Sequence, residues 1–191
     1  MFGTTKVKDK KDLLKYVSYG TQQLMITEME VQEAKSGTPR VVFKVQSQPV
    51  TTEGWQGADG AAGRIGTVRS SYLKTDTQIQ YFCEQVNDIA RALGVYEEVK
   101  ALGEVESIND FVDKLRPLFT NKFAWFTVAA EEYIKADGAN TGISLTFPRY
   151  RFVSDVETGV APFDSTKDYH YKKANQPSME TDAVKTEEEP F

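Results

Sequence analysis

The chain has 191 residues, 40% of them hydrophobic and 12% aromatic, enough for one domain with a sizeable core and a tail. Its one cysteine, Cys83, excludes an internal disulfide and suits a reducing cytosol; in sequence it reads as a small buried hydrophobe rather than a nucleophile. No apolar run approaches the ~20 residues that span a bilayer, and Lys6, Lys8, Lys10 and Lys11 have no apolar stretch behind them, so neither a membrane span nor a secretory signal is expected. The net charge of −5 is unevenly placed: residues 1–154 carry 19 basic and 19 acidic side chains, and residues 155–191 carry 4 and 9. The whole excess is C-terminal, so basic residues of the body are free to cluster on one face.

The first residues form a Lys-rich arm, 1–16. Gly20 to Lys35 reads as a long strand whose apolar phase changes between Ile26 and Met29, the mark of a β-bulge. Ser36-Gly37-Thr38-Pro39 is a turn signal, and Arg40 to Gln48 returns as a second strand, with Val41, Phe43 and Val45 on one face and Arg40 and Lys44 on the other. Gly54, Gly57, Gly60, Gly63 and Gly66 then recur every third residue without the proline filling of a collagen helix, which predicts a flexible finger. Thr67 to Leu73 is expected as the third strand.

Ile79, Phe82, Cys83, Val86, Ile89, Ala90 and Leu93 make the apolar stripe of a helix over residues 77–93, capped within residues 75–77 and ended by Gly94. Ser107 to Phe119 reads as a second helix, with Ser107 as N-cap and Pro117 limiting it. Lys122 to Ile134 and Gly142 to Val156 are predicted as the fourth and fifth strands around an Asp137-Gly138-Ala139-Asn140 turn. Beyond Pro162 the pattern dissolves into an aromatic-bearing extension and, from Asn175, an acidic tail expected to be disordered. The order strand, strand, strand, helices, strand, strand is that of a mostly β, α+β fold: a five-stranded OB-fold Greek-key barrel over residues 17–161, with one or two helices between strands three and four.

Catalysis finds little support. His170 is the only histidine and lies in the weakly patterned extension. One Cys and one His cannot build a structural zinc site, and the acidic pair Glu131-Glu132 fits an exposed strand end better than a metal pair. The glycine finger has no Gly-Lys-Ser/Thr ending and is no phosphate loop. No enzyme activity, cofactor or metal is expected. A single nucleic-acid strand, by contrast, needs cations for its phosphates and aromatic faces for its bases. Both are interleaved here: Arg40 and Lys44, Arg64 and Arg69, Lys122 beside Trp125, Arg149 and Arg151 beside Tyr150, with Trp55 in the finger. The chain closes on Glu187-Glu188-Glu189-Pro190-Phe191, three carboxylates and a ring suited to a basic, apolar slot on a partner.

Together these elements resemble the OB-fold single-stranded-DNA-binding proteins of bacteriophages and bacteria. The terminus looks like the acidic Pro-Phe tail through which the bacterial proteins recruit replication and repair enzymes, while the body is closer to the phage replication proteins. Bacterial tails have Ile where Glu189 stands, the long Gly/Gln/Pro-rich linker is replaced by a polar segment from about Pro162, and the zinc of some phage relatives has no ligands here. The resemblance implies non-catalytic, largely sequence-independent coating of single-stranded DNA in phage replication, recombination or repair, in the host cytoplasm. Arg40, Lys44, Arg64, Arg69, Lys122, Arg149 and Arg151 would meet phosphates. Trp55, Tyr72, Trp125 and Tyr150 would stack on bases, and residues 187–191 would recruit replication proteins. Self-association into a homo-oligomer stays open. The rival classes are a protein–protein adaptor or host-enzyme inhibitor acting through the tail, and a virion structural protein.

Overall fold

The computed structural model describes residues 15–135 and 141–170. Residues 1–14, residues 136–140 with the expected Asp137-Gly138-Ala139-Asn140 turn, and residues 171–191 lie outside the described residues. β1 (Gly20–Glu33) and β2 (Pro39–Pro49) form an antiparallel hairpin whose register slips between Ile26 and Glu28, at the expected bulge. The turn between them is closed by Ala34 donating its N–H to Thr38 O and by Gly37 donating to Ala34 O. β3 (Gly63–Arg69) pairs antiparallel with β2. α1 (Asp76–Ala92), α2 (Tyr96–Lys100) and α3 (Ile108–Phe119) follow, then β4 (Phe123–Ile134) and β5 (Thr141–Thr146). β4 pairs antiparallel with both β1 and β5, and β5 runs parallel to β3. The path β1-β2-β3-β5-β4 returns to β1, so the sheet is a closed five-stranded barrel in the OB-fold order, with its helices between β3 and β4.

Alternation builds the interior. Leu24, Ile26, Met29, Val41, Phe43, Val45, Val68, Phe126 and Val128 turn inward and are buried. α1 adds Phe82, Val86 and Ile89, and α3 adds Val112, Leu115 and Phe119. Both helices start at capped residues, Thr75 in a reciprocal capping box with Gln78, and Ser107 accepting from Asp110 N. Arg116 of α3 donates twice to Met29 O and so ties the helix to β1. Pro117 lies inside α3 near its end.

Three sequence expectations are corrected here. Cys83 is exposed on α1, because the buried stripe runs through Phe82 and Val86 beside it; burial of the sulfur that remains, with Glu84 adjoining, pushes its thiol up, away from a reactive thiolate. The third strand begins four residues early and ends at Arg69. Two of the period-three glycines belong to that strand and not to the finger, because the backbone at Gly63 approaches Ser47 O and that at Gly66 approaches Val17 too closely for any side chain. A Cβ at Gly66 would stand 2.6 Å from Val17 Cβ. Gly66→Ala is therefore expected to lever residues 15–17 off β3 and destabilise the fold by about 1–3 kcal/mol. Chemical denaturation checks this; adding Val17→Ala should recover part of the loss.

The expected fifth strand is two pieces. β5 ends at Thr146, and β6 (Val153–Ser154) resumes pairing with β4 at Trp125 and Phe126, on the edge β5 has left. Six residues, 147–152, bridge a gap that β4 spans with only Thr127 and Val128, so they loop out of the ladder. Pro148, which has no N–H for the ladder, sits at the start of this loop. After Val160 the chain recrosses β4: Ala161 O accepts from Thr127 Oγ1, and Phe163 N–H donates to Thr21 Oγ1. α4 (Ser165–Asp168) and β7 (Tyr169–His170) follow, β7 pairing parallel with Ala130 and Glu131. Both edges of β4 are thereby covered.

Candidate nucleic-acid interface

The outer face of the barrel along β2, β3 and β5 carries three adjoining clefts, and Arg69 lines all three. The first, about 580 Å³, lies over Arg40, Arg69, Tyr72, Tyr133, Ser144 and Thr146. The second, also about 580 Å³, crosses the strands where β3 and β5 part, between Tyr16, Tyr19, Lys44, Thr67 and Ile143. The third, about 430 Å³, runs from Arg69 under the 147–152 loop, between α1 and the C-terminal extension.

Local order sets each cation. Arg69 ends β3 beside Thr146, the last residue of β5, and its guanidinium has no hydrogen-bond or ion-pair partner among the described residues. Arg40, second in β2, donates to Gln32 Oε1 across the hairpin and lies 4.9 Å from the centre of the Tyr72 ring. Arg149 lies over Tyr81, its guanidinium carbon 4.2 Å from the ring centre. Lys44 differs: its ammonium meets Glu28 at 2.7 Å and Glu30 at 3.4 Å, and the Glu28 hydrogen bond raises its pKa. It enters the groove already neutralised. Tyr150 donates its hydroxyl to Asp168, which also accepts from Asp164 N at 2.7 Å. Burial, reinforced by that carboxylate, holds the Tyr150 phenol protonated well above the usual phenol range.

Of the residues expected from sequence to meet DNA, the fold brings Arg40, Lys44, Arg69, Tyr72, Arg149 and Tyr150 to these clefts. Arg64, Lys122, Trp125 and Arg151 line none of them. Lys122 and Trp125 sit where α3 passes into β4, with Trp125 half-buried beside Ser154 of β6. Arg64 is the second residue of β3, its N–H on Ser47 Oγ. Trp55 is half-buried in the finger against Gly57, its indole N–H enclosed without a partner among the described residues, rather than standing exposed in the groove. Residues 187–191 lie outside the described residues.

The aromatic surface is instead made of tyrosine. Tyr16, Tyr19, Tyr72, Tyr81, Tyr133 and Tyr150 are all exposed and all line the clefts. Four of these were not anticipated. Tyr16 sits in what the sequence suggests is a loose arm, but Val17 N–H donates to Ile65 O and Ile65 N–H to Lys15 O, so this segment is bound to β3. Tyr19 is held by stacking on Phe163 and by an edge contact with Tyr169. Nine tyrosines against two tryptophans was the available signal.

No family model and no curated protein matches this chain. Among solved structures it is similar to yeast RPA bound to ssDNA, at 13% identity and a TM-score of 0.30, over 76% of this chain and 78% of that one. The barrel assignment rests on the strand pairing and owes nothing to that likeness.

Proposed function

We propose that this chain binds single-stranded DNA non-catalytically in the groove centred on Arg69. The observation that carries the reading is the junction itself: an arginine without a hydrogen-bond or ion-pair partner among the described residues, where three clefts meet on the strand-2 and strand-3 face of a closed OB barrel, with six exposed tyrosines around it. That face is the one OB barrels use for oligonucleotides. Cations take the phosphates and rings take the bases, which makes binding tolerant of sequence. The role is coating and protecting strands in phage replication or recombination, in the cytoplasm of a bacterial host, with Glu187 to Phe191 as the ligand that recruits replication proteins.

Fluorescence anisotropy of labelled oligo-dT at two salt concentrations tests this. Affinity is expected to fall with salt, with a log–log slope of about −0.7 per phosphate contacted. Absence of binding at low salt, both in the full chain and in one lacking residues 186–191, overturns the reading. Deleting those six residues should leave the barrel and its groove intact while abolishing capture of replication proteins.

A further inference from the structure

The third cleft differs from the other two in being walled on several sides. α1 contributes Tyr81 and Gln85, the loop after β5 contributes Arg149 and Tyr150, and the extension contributes Lys167 and His170. Its floor is aromatic, because Phe82 and Phe147 are both buried beneath it. Two of its walls are held in place. The Arg149 guanidinium carbon lies over the Tyr81 ring, 4.2 Å from its centre, a cation–π contact that holds this planar cation at the wall of the cleft. Tyr150 is anchored through its hydroxyl to Asp168, a carboxylate buried to 1% exposure. Gln85 Nε2 donates to Phe147 O at 3.2 Å, and its Oε1 has no donor among the described residues.

A planar cation, a fixed ring and an unfilled amide acceptor are complementary to one nucleobase: a π-face with N–H groups on its edge. Arg69 stands at the entrance shared with the other clefts, while Gln85 lies within the third, on the α1 wall. A strand whose phosphates stay at Arg69 could therefore turn one base inward.

We propose that this cleft is a single-base subsite, taking one nucleobase unstacked from the strand, with Arg149 as its platform and Gln85 Oε1 as acceptor for a base N–H. The proposal rests on the groove reading above. Its volume of about 430 Å³ is in the range of small-ligand sites. The subsite explains why the extension is strapped to β4: it supplies the wall that fixes Tyr150.

The test uses the full chain and the shortest oligo-dT that retains full affinity, with a single abasic nucleotide moved through each position. One position is expected to lose about 5- to 100-fold in affinity, the worth of one stacked base, and neighbouring positions much less. In Gln85→Ala and, separately, Arg149→Ala, checked as folded by circular dichroism, that position should no longer stand out. Binding with a flat profile overturns the subsite and leaves the groove reading standing. So does a profile that both variants leave unchanged. Absence of binding by the unmodified oligo-dT overturns the groove reading and the subsite with it.

Discussion

Arg69→Ala is expected to weaken oligo-dT binding by about 10- to 100-fold, the worth of roughly 1.5–3 kcal/mol for hydrogen bonds to a charged group. Arg69→Glu should weaken it further, since a carboxylate at the junction repels phosphate in all three clefts. The salt dependence should become shallower by the share of one phosphate. Stability should change little, because the guanidinium makes no hydrogen bond or ion pair among the described residues and only the backbone of Arg69 is tied to Val42 and Thr146. Lys44→Ala is the contrast. Its ammonium is already occupied by Glu28 and Glu30, so affinity should hardly move although the residue lines the same groove. Anisotropy titrations, with thermal melts on the same samples, separate the two outcomes. Equal losses for Arg69 and Lys44 would show that prior pairing with carboxylates does not matter and that only total charge does.

Phe147→Ala is expected to be the most damaging core substitution next to the site. The ring is 5.3 Å from Phe126, 5.0 Å from Phe152 and 5.4 Å from Phe43, centre to centre, so it joins β2, β4 and the far end of its own loop at one point. Truncating such a ring costs about 3–5 kcal/mol, a large part of the ~5–15 kcal/mol that holds a domain together. Phe147 also anchors the start of the loop that carries Arg149 and Tyr150, and its carbonyl accepts from Gln85. Oligo-dT affinity should therefore fall at temperatures where the variant is still folded, through misplacement of those side chains. Urea denaturation followed in parallel with binding checks both effects. A variant with full affinity and a low midpoint would show the loop to be held by something other than this ring.

What could be read in advance divides along the kind of interaction. The hairpin of β1 and β2, its bulge, both long helices with their caps and the span of β4 follow from period, propensity and capping, all local, and they stand within a few residues of expectation. The barrel order followed from counting those elements. The site was legible only in part, since a strand's alternation tells which residues share a face but not what covers that face. Alternation sets one of Trp125 and Phe126 inward and the other outward without saying which; Phe126 is buried, Trp125 is half-buried, and β6 pairs beside both. Arg149 and Tyr150 reach the cleft for a reason opposite to the expected one: they leave the ladder at Pro148 instead of continuing it. Tyr16 and Tyr19 depend on contacts with Ile65 and Phe163, far away in the chain, and no local pattern announces them. The tyrosine anchor Asp168 looked like one more acid in a polar stretch until tertiary packing buried it.

The closure of the barrel between β3 and β5 has a further consequence. It consists of two ladder pairs, Val68 with Leu145 and Arg69 with Thr146, and just beyond them residues 15–17 take the place of a sheet partner at Ile65. So short a seam is where amide hydrogens should exchange earliest in the sheet, by local opening that leaves the β1–β2 hairpin intact. The groove lies across that seam. A ligand spanning it adds its binding free energy to the closed form alone, so a bound strand would act as the sixth stave of the barrel, and the protein would be stiffest when loaded.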